Sequence, residues 1–198
     1  MRNRVLEAAI EVLRERGYSG FRVGNVAETA GVSRGAQLHH FPSKNELVVA
    51  SLDHVYRRTR DYTLEAANQT THDAEVLNRA CADAEHFFYG DDFFLTLDLV
   101  ISGNKISGIA DEVREMASQN RIAAEQAWVA RFVRTGLDPD EAEDILWVLW
   151  SVVRGLAVRR QIGYDAVRAK RVTELTLHLL TQYAESRRIS ARTDASNS

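Results

Sequence analysis

Three observations predict an all-α fold for this chain of 198 residues. It holds only 2 prolines and 11 glycines, too few for the many tight turns of an all-β protein, and Ala, Leu, Glu, Arg and Val dominate. Apolar residues recur at helical spacing along most of its length, with no strand pattern and no internal repeat. At 45% hydrophobic and 27% charged, the chain has enough apolar surface for a packed core, which excludes wholesale disorder.

Taken in order, Val5, Leu6, Ala9, Ile10, Val12 and Leu13 form one helical face over residues 1–16, closed by Gly17. Two short helical patterns follow, 23–30 ending at Gly31 and 33–40 ending near Pro42, each too short to persist alone in water. Ser43-Lys44-Asn45-Glu46 reads as a capping box, with Ser43 accepting from the N–H three residues on and Glu46 reaching back. It starts a long helix ending around Ala67, and helices at 73–89, 91–103 and 109–135 come next. Asp138 caps a further helix with Pro139 at its first position and acids behind it. From Ile145 to Ala157 that helix is apolar nearly all round, so both its sides should be covered. A last helix, 166–186, carries Val172, Leu175, Leu179 and Tyr183 on one stripe, and the polar tail 187–198 reads as disordered.

Several function classes fall away. Cys81 is the single cysteine, so neither an internal disulfide nor a thiolate metal cluster can form, and a reducing cytoplasm is the expected compartment. The longest apolar run, Ile145 to Val153 with Ser151 inside it, is half of the roughly 18 residues a membrane span needs. Glu7, Glu11 and Glu15 break up any signal-peptide core behind Arg2 and Arg4. Glu-x-x-His pairs, a Gly-rich phosphate loop, Gly-x-Ser-x-Gly and His-Glu-x-x-His are all missing. Asp83 and His86 give one unmatched Asp-x-x-His, and His86 lies five residues from Cys81 on a different helical face. The expectation is a protein that is not an enzyme and uses no cofactor or metal.

Charge is uneven: residues 1–57 carry a net +2 and the remainder a net −5, for a total of −3. A mildly basic head on an acidic body is compatible with a local nucleic-acid footprint. Within that head, Val26-Ala27-Glu28-Thr29-Ala30-Gly31-Val32-Ser33-Arg34-Gly35-Ala36 has the layout of a helix-turn-helix. Ala27 is small where the helices cross, Gly31 allows the left-handed turn, Val26, Ala30 and Val32 plug the joint, and Ser33 caps the second helix. Such a second helix enters the major groove.

Read together, Arg4-Val5-Leu6-Glu7-Ala8-Ala9, Arg16-Gly17-Tyr18, Val26-Ala27 with Ala30-Gly31-Val32-Ser33, and His40-Phe41-Pro42-Ser43-Lys44 with Glu46-Leu47 resemble the N-terminal domain of the TetR family of transcriptional regulators. The resemblance covers about residues 2–50 and is architectural beyond residue 55. It implies a helix-turn-helix DNA-binding domain at 1–45, joined by the long helix to a helical effector-binding and dimerisation domain at 46–186. The implied function is a repressor released from a palindromic double-stranded operator by a small-molecule effector. It also implies that Ser33, Arg34, His39, His40 and Lys44 contact DNA, and physical chemistry is consistent with each. Arg34 on the first turn can reach guanine, Lys44 sits at a helix N-terminus, and His39 is expected to be more exposed than His40.

Two departures mark this chain. Gln37-Leu38 replaces the family's Leu-Tyr, so either Gln37 reaches adenine or the helix is rotated to turn Leu38 inward. Gly24 stands where a basic contact is usual, leaving Arg22 or Asn25 as substitutes.

In the body, the aromatic cluster Phe87, Phe88, Tyr89, Phe93 and Phe94, with Trp128, Trp147 and Trp150, could line an effector cavity oriented by Asp98, Asn104 or Arg131; plain core is the competing reading. The helices 138–162 and 166–186 offer more apolar surface than one body can cover. A homodimer through a four-helix interface at Ile145, Val152, Leu156, Leu175 and Leu179 is therefore expected. The rival to the whole reading is a helical ligand- or protein-binding module with no affinity for DNA.

Overall fold

The computed structural model describes residues 1–103 and 110–196, and every regular element among them is helical. In chain order these are α1 (Arg2–Gly20), α2 (Val23–Thr29), α3 (Arg34–His40), α4 (Lys44–Gln69), a 3₁₀ turn at Asp73–Glu75, α5 (Val76–Phe88), α6 (Asp91–Gly103), α7 (Ala110–Arg134), α8 (Pro139–Arg160) and α9 (Ala166–Ser196). They fall into two compact units: residues 1–60 with 91–121, and residues 61–90 with 122–198. By packing, α4 and α7 each contribute to both units.

Local chemistry sets the boundaries in the first unit. Gly17 breaks α1 at φ 60° and ψ 179°, and the chain then makes one more helical turn to Gly20. Gly31, at φ 60°, turns the chain between α2 and α3, with the Gly31 and Val32 N–H groups donating to the Glu28 and Ala27 carbonyls at 3.0 Å each. The Ser33 hydroxyl accepts from the Ala36 N–H at 3.2 Å, and Ser43 accepts from Glu46 N–H at 3.1 Å. Glu46 does reach back toward Ser43, yet its carboxylate receives the Ser43 hydroxyl at 3.0 Å, so both side chains close the box.

One apolar core unites this unit. Val5, Leu6, Ala9, Ile10 and Leu13 of α1 meet Phe21, Val26, Ala30 and Phe41, then Leu47, Val48, Leu52 and Val55 of α4, Leu95 and Leu99 of α6 and Val113 of α7. Around it Glu7 accepts from His54 at 2.8 Å and Arg58 at 3.5 Å, while Asp92 on α6 accepts from Arg58 at 2.8 Å and from Arg14.

In the second unit α5 packs on α8 and α9, and α8 on α9. Its interior is organised by a buried carboxylate: Asp83 accepts from the Trp128 indole N–H at 2.7 Å and the Thr63 hydroxyl at 3.1 Å. The α8 cap forms as the sequence implies, with Asp138 accepting from Asp140 N–H at 2.9 Å. Ala142, Ile145, Leu146, Leu149, Trp150, Val153 and Ala157 of α8 are buried, whereas Trp147, Val148 and Val158 face solvent, so the chain covers only one side of this helix. The expected disordered tail begins inside α9, which continues to Ser196. Neither Gly nor Pro interrupts it there, Arg187 pairs with Glu141, and Arg188 donates to the Thr135 hydroxyl.

Burial pushes the Asp83 carboxyl above its ordinary value of 3.8, against the opposing pull of its Trp128 and Thr63 hydrogen bonds and of nearby His86. A raised folded-state value means that its stabilising contribution is complete below the unfolded value and is lost as pH rises through the folded one. An Asn there could still accept from Trp128 and donate to Thr63. In thermal melts from about pH 4 to about pH 8, Asp83→Asn is expected to gain steadily on the parent protein as pH rises. A gap independent of pH would show that Asp83 has no such effect.

Candidate nucleic-acid interface

The second helix of the corner, α3, is seven residues long and has one sealed side. Gln37 is 0% exposed and Phe41 just behind it is buried, while Ser33, Arg34, Gly35, Leu38, His39 and His40 lie outside. Four elements hold it. The Gly31 carbonyl accepts from Arg4 on α1 at 3.4 Å, Val26 and Ala30 fill the joint, Arg2 stands 5.4 Å over the Phe41 ring, and Pro42 ends the helix.

This geometry decides between the alternatives at residues 37 and 38 by rejecting both. Gln37 points into the core and cannot read adenine from there, and Leu38, at 39% exposure, does not turn inward. Gln37 occupies the inward position that the resemblance gives to leucine, and neither its amide nitrogen nor its oxygen has a partner among the described residues. The outward position is taken by Leu38, and only the direction of the helix shows it facing out.

Arg34, with its stem on the first turn of α3, is exposed, as is Ser33, whose hydroxyl is engaged as the cap. His39 and His40 are both exposed, in an edge-on pair with ring centroids 5.5 Å apart, so the expected contrast between them is absent. Arg22 is exposed and donates to the Ser19 carbonyl at 2.8 Å and the Phe21 carbonyl at 3.1 Å; Asn25 is half-buried and Gly24 has open space around it.

Lys44 is more committed than its place at a helix start suggested. Its ammonium donates to the Tyr18 carbonyl at 2.9 Å and lies 3.9 Å from the centroid of the Tyr18 ring. Burial, and then the like charge of Arg22, hold its pKa below the ordinary lysine value. Tyr18 in turn donates to Asn45 Oδ1 at 3.1 Å, so this corner is built before any anion arrives.

The remaining candidates sort by unit. Phe94, half-buried, and exposed Asp98 belong to the first; Phe87, Phe88, Trp128, Arg131, Trp147 and Trp150 belong to the second; Asn104 lies outside the described residues. Trp128 is fully buried and tied to Asp83, and Trp147 is 51% exposed. Phe88 and Trp150 meet edge-on with centroids 6.2 Å apart. Arg131 is half-buried, its Nε and Nη2 have no partner among the described residues, and Trp150 Nε1 also lacks one there. Of the interface candidates, Ile145 is 2% exposed and belongs to the core of its own unit, because α8 turns it toward its neighbours there. Val152 and Leu156 are half-buried, while Leu175 and Leu179 are 57% and 54% exposed. Cys81 is buried, and its thiol is pushed up to about 12 by burial and by Glu85, which leaves it protonated and inert at neutral pH.

A sealed three-helix corner presenting Arg34 and two histidines outward defines the class of helix-turn-helix DNA-binding regulators. Residues 5–50 match the family described as bacterial regulatory proteins, tetR family. The transcriptional regulator CymR of Pseudomonas putida is 38% identical over 186 residues, which is 93% of this chain and 92% of that protein. The chain belongs to the TetR family and is a DNA-binding transcriptional regulator. Among solved structures, GusR of Salmonella enterica aligns with a TM-score of 0.67 at 18% identity, covering 93% of this chain and 95% of that one. FadR of Bacillus subtilis, solved in complex with stearoyl-CoA, aligns with a TM-score of 0.60 at 18% identity, covering 91% and 97%. Both share the fold.

Gln37 yields a test of this inner surface. Replacing an unsatisfied buried amide with leucine removes a desolvation cost of about 1–3 kcal/mol. Gln37→Leu is expected to raise the melting temperature by roughly 2–12 °C and to leave DNA affinity unchanged. A fall in stability would mean that the amide is satisfied in solution.

Proposed function

We propose that this regulator is a homodimeric repressor that leaves its operator when a small molecule binds its second unit. The observation that carries the DNA-reading part is the orientation of α3, whose inner side is sealed by Gln37 while Arg34, His39 and His40 stand in solvent. Arg34 would pair with a guanine edge, His39 and His40 with phosphates or sugars, and Ser33 and Asn25 would support the register. Arg22 and Lys44 repel one another in the free protein. A phosphate oxygen between them relieves that repulsion, beside the capped start of α4.

The dimer reading rests on the solvent-facing sides of the last two helices. Leu175, Leu179 and Tyr183 recur every four residues on α9, and α8 adds Trp147, Val148 and Val158, with exposed Gly155 allowing close approach. A second copy covering these residues by a two-fold operation gives four packed helices and two reading helices at a set separation, which a palindromic operator matches.

For the effector, the second unit offers donors of Arg131 and Trp150 that lack a partner among the described residues and that a bound molecule would satisfy, with Phe88 packed edge-on against Trp150. The acyl-CoA held by the related Bacillus FadR supports a small-molecule site in principle. Release requires only differential affinity: a coupling of about 1–3 kcal/mol changes DNA affinity about 5–150-fold. Of the two helices that contribute to both units, α4, which starts at Lys44, is the element through which it would pass. The protein would act in the cytoplasm, on DNA.

Fluorescence anisotropy on the DNA upstream of its own gene, at two salt concentrations, tests the reading surface. Salt-dependent binding is expected, weakened at least about tenfold by Arg34→Ala; equal affinity for the variant would remove Arg34 from the site. Leu175→Glu with Leu179→Glu is expected to give folded monomers in sedimentation, with operator affinity lost. Dimers that persist in that variant would place the interface elsewhere.

A further inference from the structure

Leu38 is an exposed leucine on a seven-residue helix otherwise faced by Arg34, Gly35, His39 and His40. A single exposed leucine carries no message on its own. Here its position does: it stands four residues, one turn, beyond Arg34 and therefore on the same face, about 6 Å along the axis. Gly35, between them on the outer side, has no side chain and open space around it, so the α3 backbone can come close to whatever the helix meets. The three positions combine a long cation, a gap and a compact apolar branch.

The geometry points to Leu38 as a specificity-determining residue that reads the C5-methyl group of a thymine in the major groove. This rests on the proposal that α3 enters that groove. The methyl group is the one apolar feature that the groove edge of a base pair offers, and it distinguishes thymine from the other three bases. Spaced about 6 Å from Arg34, Leu38 falls one to two base steps, at about 3.4 Å each, from the guanine that Arg34 would engage. Each half-site would then contain a G·C pair followed within two steps by a thymine. The Gln37-Leu38 pair thus has a divided role: the amide is turned inward at a cost, and the apolar residue is turned outward where it discriminates. The hydroxyl that the family's tyrosine would place at position 38 is absent, so the contact at this position is apolar and independent of salt.

The test begins with selection of duplexes from a random pool by the full-length protein. Each thymine of the selected operator is then replaced singly by uracil, which removes only the methyl. Anisotropy gives the affinity of the parent, Leu38→Ala and Leu38→Gln, and circular dichroism checks that each is folded. One thymine per half-site, within two steps of a G·C pair, is expected to weaken parent binding about fourfold on conversion to uracil, the loss from exposing one methyl. That penalty is expected to vanish in both variants and to be equal at two salt concentrations. A uracil penalty that persists in both variants, or no thymine that responds, overturns the assignment while leaving DNA binding intact. Failure of the parent to select any sequence overturns the α3 reading itself, and this inference with it.

Discussion

Seven-residue helices do not hold their shape in water, because too few hydrogen bonds form to repay the ordering of the first turn. Both α2 and α3 are of that length, so the outward face of this protein exists only while the core beneath it does. Phe21, Val26, Ala30 and Phe41 supply the inner contacts of this corner, and α1 and α4 supply the wall they press on. The direction in which Arg34 and Leu38 point is therefore a property of packing.

Polar groups refine that arrangement more than they stabilise it. The chain of ion pairs through Arg14, Asp92, Arg58 and Glu7, with the His54 hydrogen bond to Glu7, links α1, α4 and α6 around the apolar core, and each exposed ion pair of this kind is worth at most about 1 kcal/mol. Their effect is to tie α1, α4 and α6 together at the rim of that core. Lys44 does the same at the start of α4, closing on Tyr18 so that a cation is held in place. Gln37 is the exception, a buried amide with both polar atoms unmet, and such local conflicts concentrate at sites kept for reasons other than stability.

The second unit shows the same economy with a different device. Asp83 joins Thr63 of α4 to Trp128 of α7, so one carboxylate orders three helices, at the cost of holding a charge away from water. On α8 the apolar residues exceed what the chain itself covers: seven turn inward, and Trp147, Val148 and Val158 do not. An apolar surface divided in this way fits a helix shared between two subunits.

The amino-acid sequence by itself determined the helical class, the order of the elements and the helix-turn-helix, because apolar periodicity, caps at Ser33, Ser43 and Asp138 and the Gly31 turn are local signals. It also singled out Arg34 and the histidines, whose motif context spans a few dozen residues. Three things were decided only in three dimensions. The rotation of α3, which buries Gln37 and exposes Leu38, depends on which side of a short helix meets α1 and α4, and seven residues carry too little periodicity to say. The inward turn of Ile145 and the burial of Trp128 against Asp83 depend on partners 45 positions or more away or on other helices. The division into two units crosses α4 and α7, since a continuous helix gives no sign along its length of where its neighbours change.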